Sequence, residues 1–428
     1  MKWKRVFIFF FLMVIMSSVQ SIAYADSLRS PSDGRQCYKI GADANIPLMP
    51  VIQEFKDLIE NDPHLYMLFM EMFNQIPNKP PYLKDPAGNV QIRSYRQMLN
   101  ALNCILTSAP EFNDTIMAGT PINAMLAWPM GTPAGTEAFL DKRVNRQLKK
   151  ILKQWEVFLA SPDSRYVLTD KPGGWFSPQA LKVMPDFDKN FVCDPSKPYH
   201  GFASWDDFFT RLFRKGLRPV ASPDNDAVIV NACESAPYRL AKDVKLRDKF
   251  WIKGEPYSIY HMFDGDPLAE QFVGGTFYQA FLSAFNYHRW HSPVSGTIVK
   301  TKLVDGSYYA AALVDGFDPE TQDNCQGYIA QTAARALVFI QADNPDIGLM
   351  GILFVGMGDV SSNEITVYEG QHVRKGEQLG MFHFGGSTHV LMFRPGVNVE
   401  FDLRGQTPSV NAKNIPLLSK LAVVKGKK

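Results

Sequence analysis

The chain has 428 residues, of which 46% are apolar and 21% charged, and its formal net charge is +2. The length allows two domains, and the apolar fraction excludes a disordered chain. Basic and acidic residues are interspersed, so no basic stripe marks a nucleic-acid surface, and only Lys425-Gly426-Lys427-Lys428 is locally basic.

Residues 1–25 read as a secretory signal peptide. Lys2, Lys4 and Arg5 precede the apolar residues 6–16, and Ala23-Tyr24-Ala25 supplies a small-x-small cleavage site. The stretch falls short of the roughly 20 residues that cross a bilayer, although an uncleaved anchor stays open. The expected localisation is therefore exported, periplasmic or secreted. Export permits disulfides, yet the five cysteines (Cys37, Cys104, Cys193, Cys233 and Cys325) are widely spaced and form no CxxC metal pair. Cys37 with Cys104 could form a bridge in the first domain.

Residues 26–175 are expected to form a helical N-terminal domain. Val51, Phe55, Leu58 and Ile59 recur at helical spacing up to Pro63, and Met98, Leu99, Leu102 and Ile105 do so before Pro110. One long helix is expected over residues 136–160, with Phe139, Val144, Leu148, Ile151 and Trp155 on one side and Lys142, Arg146, Lys149 and Lys153 on the other. That basic side suits a solvated face, and a peripheral contact with anionic lipid stays open.

Ser161-Pro162-Asp163-Ser164 and Lys171-Pro172-Gly173-Gly174 break the periodicity. Residues 176–428 then alternate short β-rich runs with Gly, Pro, Asn and Asp, for example at 227–230, 296–303, 336–341, 351–355, 365–368 and 388–393. The expected fold class is α+β, a helical domain followed by a strand-rich one.

Three stretches of the second domain carry chemistry. Phe382-His383-Phe384-Gly385-Gly386-Ser387-Thr388 places a hydroxyl after a glycine pair, where the backbone can turn so that Ser387 reaches the carbonyl of Gly386. An ordinary hairpin turn would use the same residues. Tyr287-His288-Arg289-Trp290-His291-Ser292-Pro293 offers two imidazoles, whose ordinary pKa near 6.5 suits proton transfer. Asn231-Ala232-Cys233-Glu234-Ser235 ends a β-like run with a carboxylate, which could orient a histidine or stand as a plain surface acid.

In this order, together with Trp205-Asp206-Asp207-Phe208-Phe209 and Leu217-Arg218-Pro219-Val220, these stretches resemble the phosphatidylserine decarboxylase family of pyruvoyl-dependent enzymes. The resemblance covers about residues 200–410. It implies self-cleavage between Gly386 and Ser387, with Ser387 becoming a pyruvoyl group and the fragment from 387 onward staying associated with the larger one. It implies that His291 serves in processing, His288 in decarboxylation, and Glu234 as the carboxylate beside them. The family usually has Leu where Gly385 stands and Asp-Gly where Glu234-Ser235 stand.

The substrate implied first is phosphatidylserine, giving phosphatidylethanolamine through a Schiff base on the pyruvoyl ketone. The alternative, suggested by the added helical domain, is a free aromatic L-amino acid such as tryptophan. No metal or nucleic acid is expected. A rival of another class rests on Lys375-Gly376-Glu377-Gln378-Leu379-Gly380, which resembles a hairpin of lipoyl-like β-sandwich binding modules.

Overall fold

The computed structural model describes residues 37, 40, 41, 44, 46–115, 117–249, 257–312, 325–359, 362–384 and 387–426. The expected leader over residues 1–25, and Gly385 and Gly386, lie outside the described residues.

Among the described residues six helices come first: α1 (Pro50–Glu60), α2 (Pro63–Asn74), α3 (Tyr95–Ile105), α4 (Pro121–Met130), α5 (Pro133–Leu140) and α6 (Lys142–Leu159). Four of the six start on proline, whose fixed φ suits the first helical position and whose missing N–H costs nothing there. Asp62 and Asp141 cap α2 and α6, each accepting from two backbone N–H groups. Such caps contribute about 1 kcal/mol apiece.

Asp141 also corrects the expectation of one helix over residues 136–160. Its extended backbone, φ −63° and ψ 127°, ends α5 before its side chain starts α6. The basic side of α6 is partly paired, Lys149 with Asp305 and Lys153 with Glu156. Exposed pairs like these add little stability. Cys37 and Cys104 are disulfide-bonded, their Cα atoms 5.4 Å apart, which ties the segment before α1 to the end of α3.

Three short helices follow, α7 (Pro178–Val183), α8 (Phe187–Asn190) and α9 (Trp205–Phe209). The remainder is rich in strands: β1 (Val228–Val230), β2 (Ala236–Ala241), β3 (Thr276–Leu282), β4 (Arg289–His291), β5 (Gly296–Val304), β6 (Arg335–Ala342), β7 (Leu349–Gly356), β8 (Ser362–Ile365), β9 (His372–Val373), β10 (Gln378–His383), β11 (Ser387–Phe393), β12 (Val399–Phe401) and β13 (Lys420–Val424). Two further helices, α10 (Ile259–Met262) and α11 (Gln326–Thr332), lie between strands. The run expected at 365–368 falls three residues early, as β8, where its partner β10 holds it.

Seven strands form one antiparallel sheet in the order β2-β3-β11-β7-β6-β5-β9. Every residue of β11 is buried, and Ser387 pairs with Leu282 of β3 on one side and Gly356 of β7 on the other. Side chains alternate across a strand. Val390 and Met392 therefore enter a core shared with Phe55, Trp155 and Trp205 of the helical region, while Leu391 and Phe393 enter a second core with Trp290 and Phe354. The first core runs unbroken from α1 to β11, so the helices and the sheet fold over common apolar side chains. Two small sheets, β4-β10-β8 and β1-β13-β12, complete the architecture.

No helix among the described residues is long and apolar enough to cross a membrane. The Lys375 to Gly380 hairpin does not present an arm for a carried group. The Lys375 side chain is buried, and its Nζ donates to the carbonyls of Ser222, Asn225 and Val228 at 2.7, 2.7 and 3.0 Å.

Candidate active site

Ser387 opens β11 with its side chain fully buried, and among the described residues its Oγ has no hydrogen-bond partner. Leaving a buried hydroxyl unsatisfied costs about 1–3 kcal/mol, a cost that folded proteins concentrate where the group has work to do. The next residue points the other way and is anchored. Thr388 Oγ1 donates to the carbonyl of Ala280 at 2.9 Å and accepts from Gln279 Nε2 at 3.1 Å. Upstream, Phe384 adopts a left-handed backbone with φ 63°, a conformation that costs a non-glycine residue roughly 1–2 kcal/mol. Its ring is held by Trp155 and Trp205 at 6.0 and 5.9 Å. The Gly385-Gly386 pair thus joins a strained, packed residue to a strand fixed on both edges.

Both sequence-selected histidines lie on the segment around β4. His288 is buried, its ring stacked on Phe209 at 3.9 Å and its carbonyl accepting from the N–H of Phe382 at 2.9 Å. Trp290, two residues on, stacks on Phe354 at 4.1 Å, and Phe354 lies beside the His389 ring at 6.5 Å. His389 and Ser387 share one face of β11 by alternation, so the β4 segment packs on the face that carries the Ser387 side chain.

His291 places Nδ1 2.8 Å from the carbonyl of Gly376 and Nε2 3.1 Å from Tyr287 Oη. A carbonyl only accepts, so the network assigns the proton to Nδ1 and leaves Nε2 accepting from the phenol. Burial pushes this histidine down to about 4, against the Gly376 bond that pulls the other way. It is neutral near pH 7, the form that can take a proton.

Glu234 is placed otherwise than the sequence suggested. Its carboxylate is gripped by Arg218, Nη2 to Oε1 at 2.8 Å and Nε to Oε2 at 3.0 Å, and also accepts from the N–H of Leu417 at 2.8 Å. The Gly376 carbonyl, not Glu234, holds the His291 ring. Glu234 connects to that ring through a stack: Arg218 lies 4.2 Å from the Phe213 ring centre, and Phe213 stacks on Tyr287 at 4.6 Å. The Tyr287 phenol is pushed far above its ordinary pKa, chiefly by burial, and stays a donor.

Two histidines were not singled out by spacing. His389 is buried with neither ring nitrogen hydrogen-bonded among the described residues, and burial pushes it down to about 3. His383 sits between Asp206 at 2.9 Å and Glu364 at 3.1 Å. Burial alone would lower its pKa, but these carboxylates, Asp206 first, outweigh it and raise the value.

Comparison with known proteins gives this geometry its setting. Residues 49–184 and residues 205–413 each match a family described as phosphatidylserine decarboxylase. L-tryptophan decarboxylase of Psilocybe cubensis is 40% identical over 375 residues, 82% of this chain and 82% of its own length. The chain belongs to the phosphatidylserine decarboxylase family. "Decarboxylase iboD" of Amanita muscaria is 47% identical over 302 residues, 66% of this chain and 86% of that protein. The phosphatidylserine decarboxylase proenzyme of Chlamydia trachomatis is 30% identical over 268 residues, 60% of this chain and 79% of its own. The chain is accordingly a decarboxylase, a carbon–carbon lyase, and relatives named proenzymes mark a family made as precursors.

Proposed function

We propose that this family member cleaves itself between Gly386 and Ser387 and decarboxylates a free aromatic L-amino acid. The substrate reading rests on one observation: the relative named L-tryptophan decarboxylase aligns over 82% of the chain, more than the strand-rich half can supply, whereas the phosphatidylserine enzyme aligns over 60% at lower identity. The helical region therefore aligns with the amino-acid enzyme. It also reaches toward the site. Phe112 meets Phe285 at 5.8 Å, three residues beyond the Leu282 that pairs with Ser387, beside a cavity of about 270 Å³ lined in part by Phe112, Met117 and Thr120. Phosphatidylserine, the first substrate read from the sequence, becomes the second reading.

In processing, Ser387 Oγ attacks the carbonyl carbon of Gly386, and the peptide C–N bond gives way to an ester. His291 suits the base that takes the hydroxyl proton because it is neutral near pH 7 and stands where the family resemblance puts the processing histidine. Elimination then frees Gly386 as a carboxylate, and water converts the remaining dehydroalanine to a pyruvoyl group with loss of ammonia. The unpartnered Ser387 Oγ and its position at the very start of β11 fit this conversion. The pyruvoyl group supplies a ketone that joins the substrate amine and draws electrons as carbon dioxide leaves. His288, walled by Phe209 in a dry setting, is placed to return a proton to the substrate carbon.

The test measures carbon dioxide release from L-tryptophan and other free amino acids and from phosphatidylserine vesicles. Turnover of free aromatic amino acids with inert vesicles is expected. Turnover of vesicles alone would replace the amino-acid reading with the lipid one.

A further inference from the structure

Residues 185–204 lie between the two family-matched stretches and hold a cluster unrelated to Ser387. Asp188, Cys193 and His200 bring one ligand atom each to within 4.8 Å of one another. His200 Nδ1 is 3.1 Å from Asp188 Oδ1, and Cys193 Sγ is 3.5 Å from the same oxygen. Around a tetrahedral zinc ion, with bonds of about 2.0 Å to nitrogen and oxygen and about 2.3 Å to sulfur, these edges would be about 3.3 and about 3.5 Å. The two separations match those edges, and both also serve as direct hydrogen bonds while no ion is bound.

Contacts outside the cluster hold the backbone that carries Asp188 and Cys193, and the ring of His200. Arg214 donates from Nε to the carbonyl of Asp188 and from Nη2 to the carbonyl of Cys193, both at 2.9 Å. The segment carrying Cys193 pairs with the chain on the far side of α9, through Val192 N–H to the Leu212 carbonyl at 2.8 Å and Arg214 N–H to the Asn190 carbonyl at 2.8 Å. His200 is stacked on Phe176 at 3.7 Å, with the rings 8° from parallel. Its backbone and that of Tyr199 are both left-handed, at φ 51° and 56°. All three ligands are half-buried, so solvent can fill a fourth position.

We propose that Asp188, Cys193 and His200 bind one zinc-class divalent ion, with water as fourth ligand, and that the ion clips residues 185–204 between the helical and strand-rich regions. Thiolate with imidazole selects zinc over magnesium or calcium, which take oxygen ligands. Binding displaces the Cys193 thiol proton to solvent and changes no oxidation state. Spacing alone did not reveal these ligands, which stand as D-x4-C-x6-H with no CxxC beside them.

The test loads the full-length purified protein with zinc, removes excess by dialysis and measures metal per chain. Cobalt then replaces zinc and is read by absorption. The expected result is one zinc per chain and, with cobalt, a thiolate-to-metal charge-transfer band, both lost in Cys193→Ser and in His200→Gln. A wild-type chain that retains no zinc and gives no such band overturns the proposal without reference to any variant. A band that survives Cys193→Ser does so as well, since no other thiol is within the cluster. Heat stability of the wild-type chain should fall on adding a chelator, while carbon dioxide release at moderate temperature stays as it was, because no ligand belongs to the Ser387 site.

Discussion

His383 and Ser387 are four residues apart and stand in opposite environments. His383 is wired to charge, between Asp206 and Glu364, with its pKa raised. Ser387 begins a dry strand, and His389, two residues on, is pushed down to about 3 by burial alone. Ionic contacts to α9 and β8 fix the upstream end, while ladder hydrogen bonds to β3 and β7 fix the downstream end. Between these two anchors, among the described residues, the Ser387 Oγ and both His389 ring nitrogens are buried without hydrogen-bond partners. The comparison teaches that the two halves of the site are held by different forces, which can be removed separately.

The most damaging way to break the downstream half is Ser387→Ala. It should leave one uncut chain with no carbon dioxide release, and normal cutting in this variant would remove Ser387 from the scheme. Next come the histidines. His291→Ala should abolish or greatly slow cutting. His288→Ala should cut and then turn over about 10²–10⁴-fold more slowly, the usual worth of a positioned acid or base. Equal effects on cutting would refute the division between them.

A finer probe is Tyr287→Phe. The phenol donates to Nε2 and so favours neutral His291; without it the histidine's pKa should rise by roughly half to one unit, since a neutral hydrogen bond contributes about 1 kcal/mol. Cutting, which needs the neutral base, should then fail at a higher pH than in the parent, whose acid limit is expected at about 4. An unmoved acid limb would detach Tyr287 from the reaction.

The smallest effect sharpens the upstream half. His383 has a raised folded pKa, so its stabilising charge is fully present below its unfolded value and is lost as pH rises through the folded one. His383→Gln should therefore cost about 1–2 kcal/mol in urea unfolding at about pH 5 and much less at about pH 9. A cost that grows with pH would show that the ring acts uncharged.

Much of this site was legible because its chemistry is local. Gly386-Ser387 and the His288 and His291 pair stand out by residue type, their roles came only with the family resemblance, and β11 was marked by the apolar run 390–393. What was hidden depends on pairing. Gly376 reaches His291 only because β10 folds back on β4, with Gln378 opposite His291. Arg218 reaches Glu234 across 16 residues that no periodicity connects. The single helix expected over 136–160 failed for a local reason: Asp141 looks like one more polar residue on a helix face until its backbone turns extended.

The central claim is that Ser387 becomes the carbonyl group of its own enzyme, and intact-mass analysis of the purified chain tests it most directly. The account predicts two polypeptides, the smaller starting at position 387 and lighter by one ammonia than a serine-started fragment. A single uncut mass from active protein, or a small fragment that begins with unmodified serine, would contradict it.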